Sequence, residues 1–166
     1  MASRSPRKGR YLALGLYNFK ARFAAPIRAG KKRHTIRAPR ANGREDEPGY
    51  MMYLYTGLRT AQAERILPDP PVCIKVESIV IRPQGAGTFQ VWVGPFRDSI
   101  RENKLRQKLA INYPDQHGLE LLDASECELL AHFDGFSSFA EMLSFWQGKL
   151  PFYGHIFHWH PAQKLK

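Results

Sequence analysis

Gly30-Lys31-Lys32-Arg33-His34-Thr35-Ile36-Arg37 is the stretch of the sequence from which the fold can be argued. Its glycine is typical of the end of a helix, because glycine adopts the left-handed backbone conformation that other residues avoid. Side chains alternate between the two faces of a β-strand. A strand that begins at His34 therefore places Thr35 and Arg37 on one face. Ile36 then points into the core.

Three side chains of this stretch are predicted to converge. Lys32 precedes Thr35 by three residues and can reach over the same surface from the turn. The guanidinium of Arg37 can hold a phosphate or a carboxylate through two parallel hydrogen bonds. A lysine that is crowded by cations and partly desolvated has a lowered pKa, which suits a general base with Thr35 as acceptor or nucleophile. The residues alone also fit a basic turn that grips phosphate or is merely solvated, and on composition this simpler interpretation is favoured.

Apolar periodicity and turn residues predict the elements on either side of this stretch. The predicted elements are a strand over 11–17, a helix over 18–30 ended by Gly30, a loop over 38–49, a buried strand over 50–56, a turn or short helix over 61–66, paired strands over 72–82 and 88–93, helices over 97–111, 126–133 and 137–146, the last capped by Ser137, and an aromatic strand over 154–159.

Strands joined by short helices, without repeated βαβ units, argue against a doubly wound fold. We predict an α+β fold, a small mixed, mostly antiparallel β-barrel with short helices on its flank. The sequence shows no internal repeat and no second core, so residues 11–161 are expected to form one domain. Residues 1–10 are expected to be a disordered basic tail and residues 162–166 a C-terminal tail.

The net charge of +10 is unevenly distributed. Thirteen basic residues precede the first acid, Glu45, so this segment cannot neutralise itself locally and should face an anionic partner such as a phosphate backbone. For residues 1–10 alone a solvated arm is the simpler interpretation. No apolar run is long enough to span a bilayer, and Cys73 and Cys127 show neither a metal-ligand spacing nor a disulfide pattern, so we expect a reduced, cytoplasmic setting with no membrane partner.

Tyr53, Tyr55 and Arg59 are predicted to surround the same cleft. Aromatic and guanidinium planes can stack a nucleobase there. An alternating strand should bury one side, so we expect half of the tyrosines to be structural. Arg59 follows a tight turn at Gly57 and is the better functional candidate.

Three further groups of residues have simpler explanations than a functional one. The histidines of the last strand, His155, His158 and His160, are interpreted as ordinary surface residues and not as metal ligands. Ser137 and Ser138 are interpreted as a helix N-cap and not as nucleophiles. Trp146 and Trp159 are expected in the core.

Gly30-x-Lys32-x-x-Thr35-x-Arg37 resembles the GxKxxTxR signature of ASCH domains, which are relatives of the PUA-like RNA-binding fold. The resemblance extends over residues 11–161 and is nearest to phage and prophage members. Its further blocks are the helix at 19–27, the strand and turn at 48–49 and 54–60, the segment 134–136 with 145–146, and the closing strand at 151–154 and 159.

The resemblance implies a PUA-like barrel with an RNA-facing cleft. Some ASCH members hydrolyse RNA, and a small bacterial subgroup removes the acetyl group from N4-acetylcytidine with a lysine, a threonine and a glutamate. Carried over to this chain, Lys32 is the base, Thr35 the nucleophile and Asp134 the acid. Asp134 is one methylene shorter than the subgroup's glutamate.

We therefore predict a nucleic-acid-binding protein that holds RNA, preferably single-stranded, or a modified nucleotide in this cleft. It is expected to act as a monomer without a metal or other cofactor. One alternative is a hydrolase on the same cleft, either a ribonuclease or an N4-acetylcytidine amidohydrolase. Another is a phage-type accessory protein that binds an acidic host protein. The predicted contact residues are Lys31, Lys32, Arg33, Arg37, Tyr55 and Arg59, and the predicted catalytic residues are Lys32, Thr35 and Asp134.

Overall fold

A computed structural model describes residues 15–40, 46–96 and 104–159. The predicted tails, 1–10 and 162–166, and most of the strand predicted over 11–17 lie outside the described residues. Short 3-10 helices at Ala21–Phe23 and Pro114–His117 accompany the main elements. These elements are β1 (Leu16–Phe19), α1 (Ala24–Arg28), β2 (His34–Arg37), β3 (Tyr53–Thr56), β4 (Glu64–Arg65), β5 (Cys73–Pro83), β6 (Phe89–Pro95), α2 (Lys104–Asn112), β7 (Glu120–Leu121), α3 (Ala124–Phe133), α4 (Phe139–Trp146) and β8 (Phe152–Trp159).

The described strands form two sheets. One has five strands in the order β2-β8-β5-β6-β7, and all of its pairs are antiparallel. The other has three strands in the order β1-β3-β4, in which β1 and β3 run parallel. Mostly antiparallel sheets with helices outside any repeated βαβ unit confirm the predicted α+β class.

The two sheets meet through aromatic side chains. The rings of Tyr17 and Phe157 lie 5.7 Å apart, and those of Phe19 and Trp159 lie 6.4 Å apart, so β1 packs against β8. Trp159 and Trp146 are both buried, which confirms their predicted place in the core. This packing brings the residues after β1 close to β2.

Several predicted elements agree with the structure. The strand predicted to begin at His34 is β2, and Ile36 is buried as expected. The hairpin across residues 84–88 joins β5 to β6 with Pro83 opposite Phe89. The charged helix predicted over 97–111 is observed as α2, and its first part lies outside the described residues.

The structure moves the start of one predicted helix and settles which of two predicted conformations residues 61–66 adopt. Asn18 lies in β1, because that strand pairs in parallel with β3, and helical structure begins only at Ala21. Residues 61–66, predicted as a turn or a short helix, form the turn, which leads into β4 because Glu64 and Arg65 pair with the end of β3.

The predicted roles of one serine and two tyrosines also change. Ser138, and not Ser137, caps α4, because its hydroxyl accepts a hydrogen bond from the Glu141 amide at 3.1 Å. Tyr53 and Tyr55 share the outer face of β3, and Leu54 is the residue of that strand that fills the core. Neither tyrosine is therefore a core residue, contrary to the expectation that half of them would be.

Candidate functional site

The turn after α1 delivers Lys32 into the interior. Gly30 has a φ of 71°, as a helix-ending glycine requires. The amide of Lys31 donates to the carbonyl of Pro26 at 2.9 Å, and the amide of Gly30 donates to Ile27 at 3.0 Å. These bonds close the last turn of α1, and the chain then enters β2.

Lys32 and Asp134 form a buried ion pair. The Nζ of Lys32 donates to Oδ1 of Asp134 at 2.8 Å and to the backbone carbonyl of the same residue at 2.5 Å. The two residues are only 2 % and 5 % exposed. Asp134 is the C-cap of α3, so the end of that helix fixes its position. The structure thus brings together two residues that are about a hundred positions apart in the sequence.

The glycine after Asp134 allows this approach. Gly135 has a φ of 92°, which disfavours other residues. A Cβ at this position would lie 3.1 Å from the Cδ of Lys32 and 3.2 Å from a ring carbon of Phe23. The ammonium of Lys32 also lies 4.7 Å from the ring centre of Phe23, a cation–π contact. The lysine stem is therefore held between backbone and ring.

Burial changes the proton affinity of both partners. It lowers the pKa of Lys32, and the nearby guanidinium groups of Arg37 and Arg22 lower it further, whereas Asp134 opposes the change. Burial likewise raises the pKa of Asp134, against the attraction of Lys32 and Arg37. The lowered pKa of Lys32 agrees in direction with the prediction, and of the two predicted causes, desolvation is larger than the effect of the neighbouring cations.

Thr35 and Arg37 lie on one face of β2, as the alternation of the strand predicts. The Nε of Arg37 donates to Oγ1 of Thr35 at 3.1 Å, and its terminal nitrogen donates to the carbonyl of Asn18 at 2.8 Å. Its guanidinium also lies 4.8 Å from the ring centre of Phe19. Arg37 therefore orients the threonine hydroxyl and ties β2 to β1.

These groups line one cavity of about 660 Å³. Lys32, Thr35, Arg37 and Asp134 give it a polar surface, and aromatic rings form much of the remaining wall. The lining aromatic residues are Phe19, Phe23, Phe145, Trp146 and Phe152. A pocket with mostly apolar walls and a few convergent polar groups is typical of a small-molecule or nucleotide site.

His34 is a further candidate, which was not among the predicted site residues. It is buried, and its Nε2 lies 3.7 Å from Oδ1 of Asp134. Burial, together with the charges of Lys32 and His158, lowers the pKa of His34 well below its usual range, so the imidazole is neutral at pH 7. The sequence does contain a signal for the burial of His34. It lies two residues before the inward-pointing Ile36, and residues at that spacing in a strand share a face.

Four of the predicted contact residues do not line this cavity. Lys31 and Arg33 line a separate hollow of about 540 Å³ behind the turn, where the guanidinium of Arg33 lies 4.9 Å from the ring centre of Phe133. Tyr55 is covered by Arg65, which lies 5.8 Å from its ring centre. Arg59 has a φ of 69° and is exposed.

The histidines of β8 make contacts with protein groups. His158 hydrogen-bonds Glu77 at 2.8 Å, and His155 is buried beside the rings of Tyr153 and Phe157. His155 is thus not the surface residue that the sequence predicted, and His160 lies outside the described residues. Among the residues that the structure describes, no group of three or more His, Cys, Asp or Glu side chains is arranged to hold a metal ion.

Comparisons of the chain with family models, with curated proteins and with solved structures gave no match. Within the described ranges, no helix combines the length and the apolar character that crossing a membrane requires.

Proposed function

We propose that this chain is an ASCH-type nucleic-acid-binding protein that takes one nucleotide of a single-stranded RNA into the cavity around Lys32 and Asp134. The proposal includes a PUA-like barrel made from the two sheets. It is supported by the aromatic contacts between β1 and β8 and by the hydrogen bond from the Trp159 amide to the Arg33 carbonyl at 3.0 Å, which ties the end of β8 to the signature turn.

The observation that carries the proposal is the composition of the cavity. Its size falls within the roughly 300–1,000 Å³ of small-ligand pockets. Its aromatic rings offer faces on which a base can stack, and such stacking is worth about 1–3 kcal/mol per base. The edge of an unstacked base can form hydrogen bonds with the donors and acceptors of Lys32, Thr35 and Asp134.

The charge of the cavity supports an anionic ligand. Its charged lining residues are four cations and one acid: Lys20, Lys32, Arg37, Lys149 and Asp134. The acid is already paired with Lys32, so the net field at the opening is positive. Phosphate groups are the natural counterpart of such a field.

Titration of labelled single-stranded RNA, followed by fluorescence anisotropy at several salt concentrations, tests the proposal. Affinity should fall steeply as salt rises, because each phosphate contact releases counterions. Arg37→Gln should weaken binding, whereas Lys108→Gln on the exposed surface of α2 serves as the matched loss of charge. RNA affinity that is unchanged by salt, or equally weakened by both variants, would contradict the proposal.

A hydrolase on the same cavity is the second candidate, and the lowered pKa of Lys32 favours it. A lowered pKa makes the ammonium give up its proton more readily, and the neutral amine can accept the proton of a hydroxyl nucleophile, which in this cavity is Thr35. In the described structure the hydrogen bonds of the lysine Nζ go to Asp134 alone, so the amine must turn toward Thr35 during such a reaction.

The hydrolase is tested with N4-acetylcytidine and with labelled RNA as substrates. Thr35→Val and Lys32→Met should each abolish turnover, and Lys108→Gln should leave it unchanged. Turnover that survives Lys32→Met excludes the lysine as the base. Absence of turnover with intact RNA binding favours the binding protein.

A further inference from the structure

Two lysines at the opening of the cavity lie against the same aromatic ring. The ammonium of Lys20 lies 4.9 Å from the ring centre of Phe145, and that of Lys149 lies 4.8 Å from the same centre. Both lysines are exposed. Within the described part of the chain, neither makes an ion pair with a carboxylate. Two cations therefore converge on one ring without an anionic partner.

Local backbone contacts hold both lysines at this place. Lys20 directly follows β1, and its carbonyl accepts a hydrogen bond from the Phe23 amide at 3.0 Å. Lys149 follows Gly148, which has a φ of 86°, and its amide donates to the carbonyl of Trp146 at 2.9 Å. The two stems thus start from fixed positions, one directly after β1 and one shortly after α4.

The cavity wall next to these lysines contains a buried donor without a partner. Trp146 is 6 % exposed and lines the cavity, and its indole Nε1 has no hydrogen-bond partner among the described residues. The ammonium of Lys149 lies 5.5 Å from the ring centre of this tryptophan. An unsatisfied buried N–H is unfavourable, and an acceptor oxygen of a ligand relieves it.

We propose that Lys20, Lys149 and Trp146 form a subsite for the phosphate group of the nucleotide whose base lies deeper in the cavity. The inference rests on the proposed function and goes further, because it states that the site selects phosphorylated ligands over free nucleosides. Compact ammonium groups on flexible stems suit phosphate oxygens, and the charge-assisted hydrogen bonds that they make are stronger than neutral ones. Arg37, which is held by Thr35 and Asn18, is left to orient the hydroxyl.

The phosphate could come from the end of a nucleotide or from the backbone of RNA. Both sources present the same oxygen acceptors to the subsite. The terminal monophosphate has two negative charges and the phosphodiester has one, so two cations discriminate between them when the ligands are compared at the same salt concentration.

Calorimetric titration separates these cases. The ligands are the four ribonucleosides, their 5′-monophosphates and 3′,5′-linked dinucleotides without a terminal phosphate. The proteins are the wild type, the double variant Lys20→Gln/Lys149→Gln and the matched control Lys20→Gln/Lys108→Gln, in which one of the two subsite lysines remains. Glutamine preserves most of each stem and removes the charge.

For the wild type at low salt, we expect a monophosphate to bind at least about tenfold more tightly than its nucleoside, with the dinucleotide between them. The ratio should fall to about one in the double variant and to an intermediate value in the control. A dinucleotide that binds as tightly as the monophosphate identifies the RNA backbone as the source.

Equal affinity for nucleoside and monophosphate in the wild type, or a preference that survives in the double variant, overturns the phosphate subsite alone. If no nucleoside, nucleotide or dinucleotide binds, the proposed function is overturned and the subsite with it. Thermal unfolding of each variant shows that the protein tested is folded, and both substituted lysines of the subsite are exposed, so the fold should persist.

Discussion

Removal of one partner from the buried pair should destabilise the protein much more than removal of both. In Lys32→Met an apolar side chain of similar length replaces the lysine and leaves Asp134 without its cation. Asp134→Leu does the converse. The double variant replaces the pair by two apolar side chains in a pocket already walled by Phe19 and Phe23.

The structure sets the size of these effects. At 2.8 Å and an effective dielectric constant of about 20, the attraction between the two charges is about 6 kcal/mol. Desolvation of two nearly inaccessible ions costs several kcal/mol for each, so the pair as a whole contributes little to the free energy of unfolding. Loss of one partner leaves the other charge buried and unpaired, which lowers the free energy of unfolding by about 3–5 kcal/mol. The double variant should lie within about 1 kcal/mol of the wild type.

The pH dependence of the two single variants should have opposite signs. In Lys32→Met the unpaired carboxyl of Asp134 has a raised folded-state pKa. The loss in free energy of unfolding relative to the wild type therefore becomes smaller as pH falls from that pKa toward the unfolded value of about 3.9. In Asp134→Leu the lysine has a lowered folded-state pKa. Its deficit shrinks as pH rises from that value toward about 10.4.

Urea unfolding at pH 5, 7 and 9, with wild type measured at each pH, tests both points. The single variants should also lose roughly 6–20 °C in Tm at pH 7. Single-variant costs below about 1 kcal/mol, or the same pH trend for both variants, would refute the buried ion pair. A double variant as unstable as the sum of the single variants would show that packing around the pair, and not its charge, determines the cost.

Three further changes test other parts of the site. Gly135→Ala forces a side chain at positive φ against Lys32 and should cost about 1–3 kcal/mol in urea unfolding; an unchanged midpoint would contradict the close approach. Arg37→Lys keeps the charge but loses the planar group that bonds to β1, and we expect a loss of about 1–2 kcal/mol by the same assay; full stability would show that the charge alone suffices. The hydrogen bonds that Glu141 accepts from Ser137, and its contact with Arg22, lower its pKa to about 2. Glu141→Gln should therefore remove part of the stability that the wild type loses as pH falls from about 4.5 toward 2, and Glu120→Gln on exposed β7 is the control. Identical acid unfolding profiles of the wild type and Glu141→Gln would contradict this role.

Local signals in the sequence predicted the parts of the site that depend on neighbouring residues. The glycine at position 30, the alternation through Thr35 and the hydrophobic period of α4 act within one element, so each could be interpreted without knowledge of the rest of the chain. Asp134 became a candidate only through the family resemblance. The residues around Asp134 in the sequence give no indication of a partner 102 positions away.

Other features depend on tertiary contacts that a single sequence does not display. Asn18 is recruited to a strand because β3 lies beside it, although the following residues have a helical pattern. Lys31 and Arg33 flank Lys32 but face another hollow, because Lys32 turns inward at the end of α1. Lys20 and Lys149 meet at one ring only because the end of β1 lies beside the end of α4. Charge counting along the chain could indicate a basic surface but not this convergence.

Because the buried ion pair contributes little to net stability, its role in folding can be separated from its role in ligand recognition. Two apolar residues of similar volume would serve the fold about as well as Lys32 and Asp134 do. The pair therefore offers a way to separate folding from ligand recognition. A double variant that folds normally but no longer binds RNA assigns the pair to the ligand. One that folds and still binds assigns recognition to the aromatic wall and to the two lysines at the opening, and leaves the pair no part in binding.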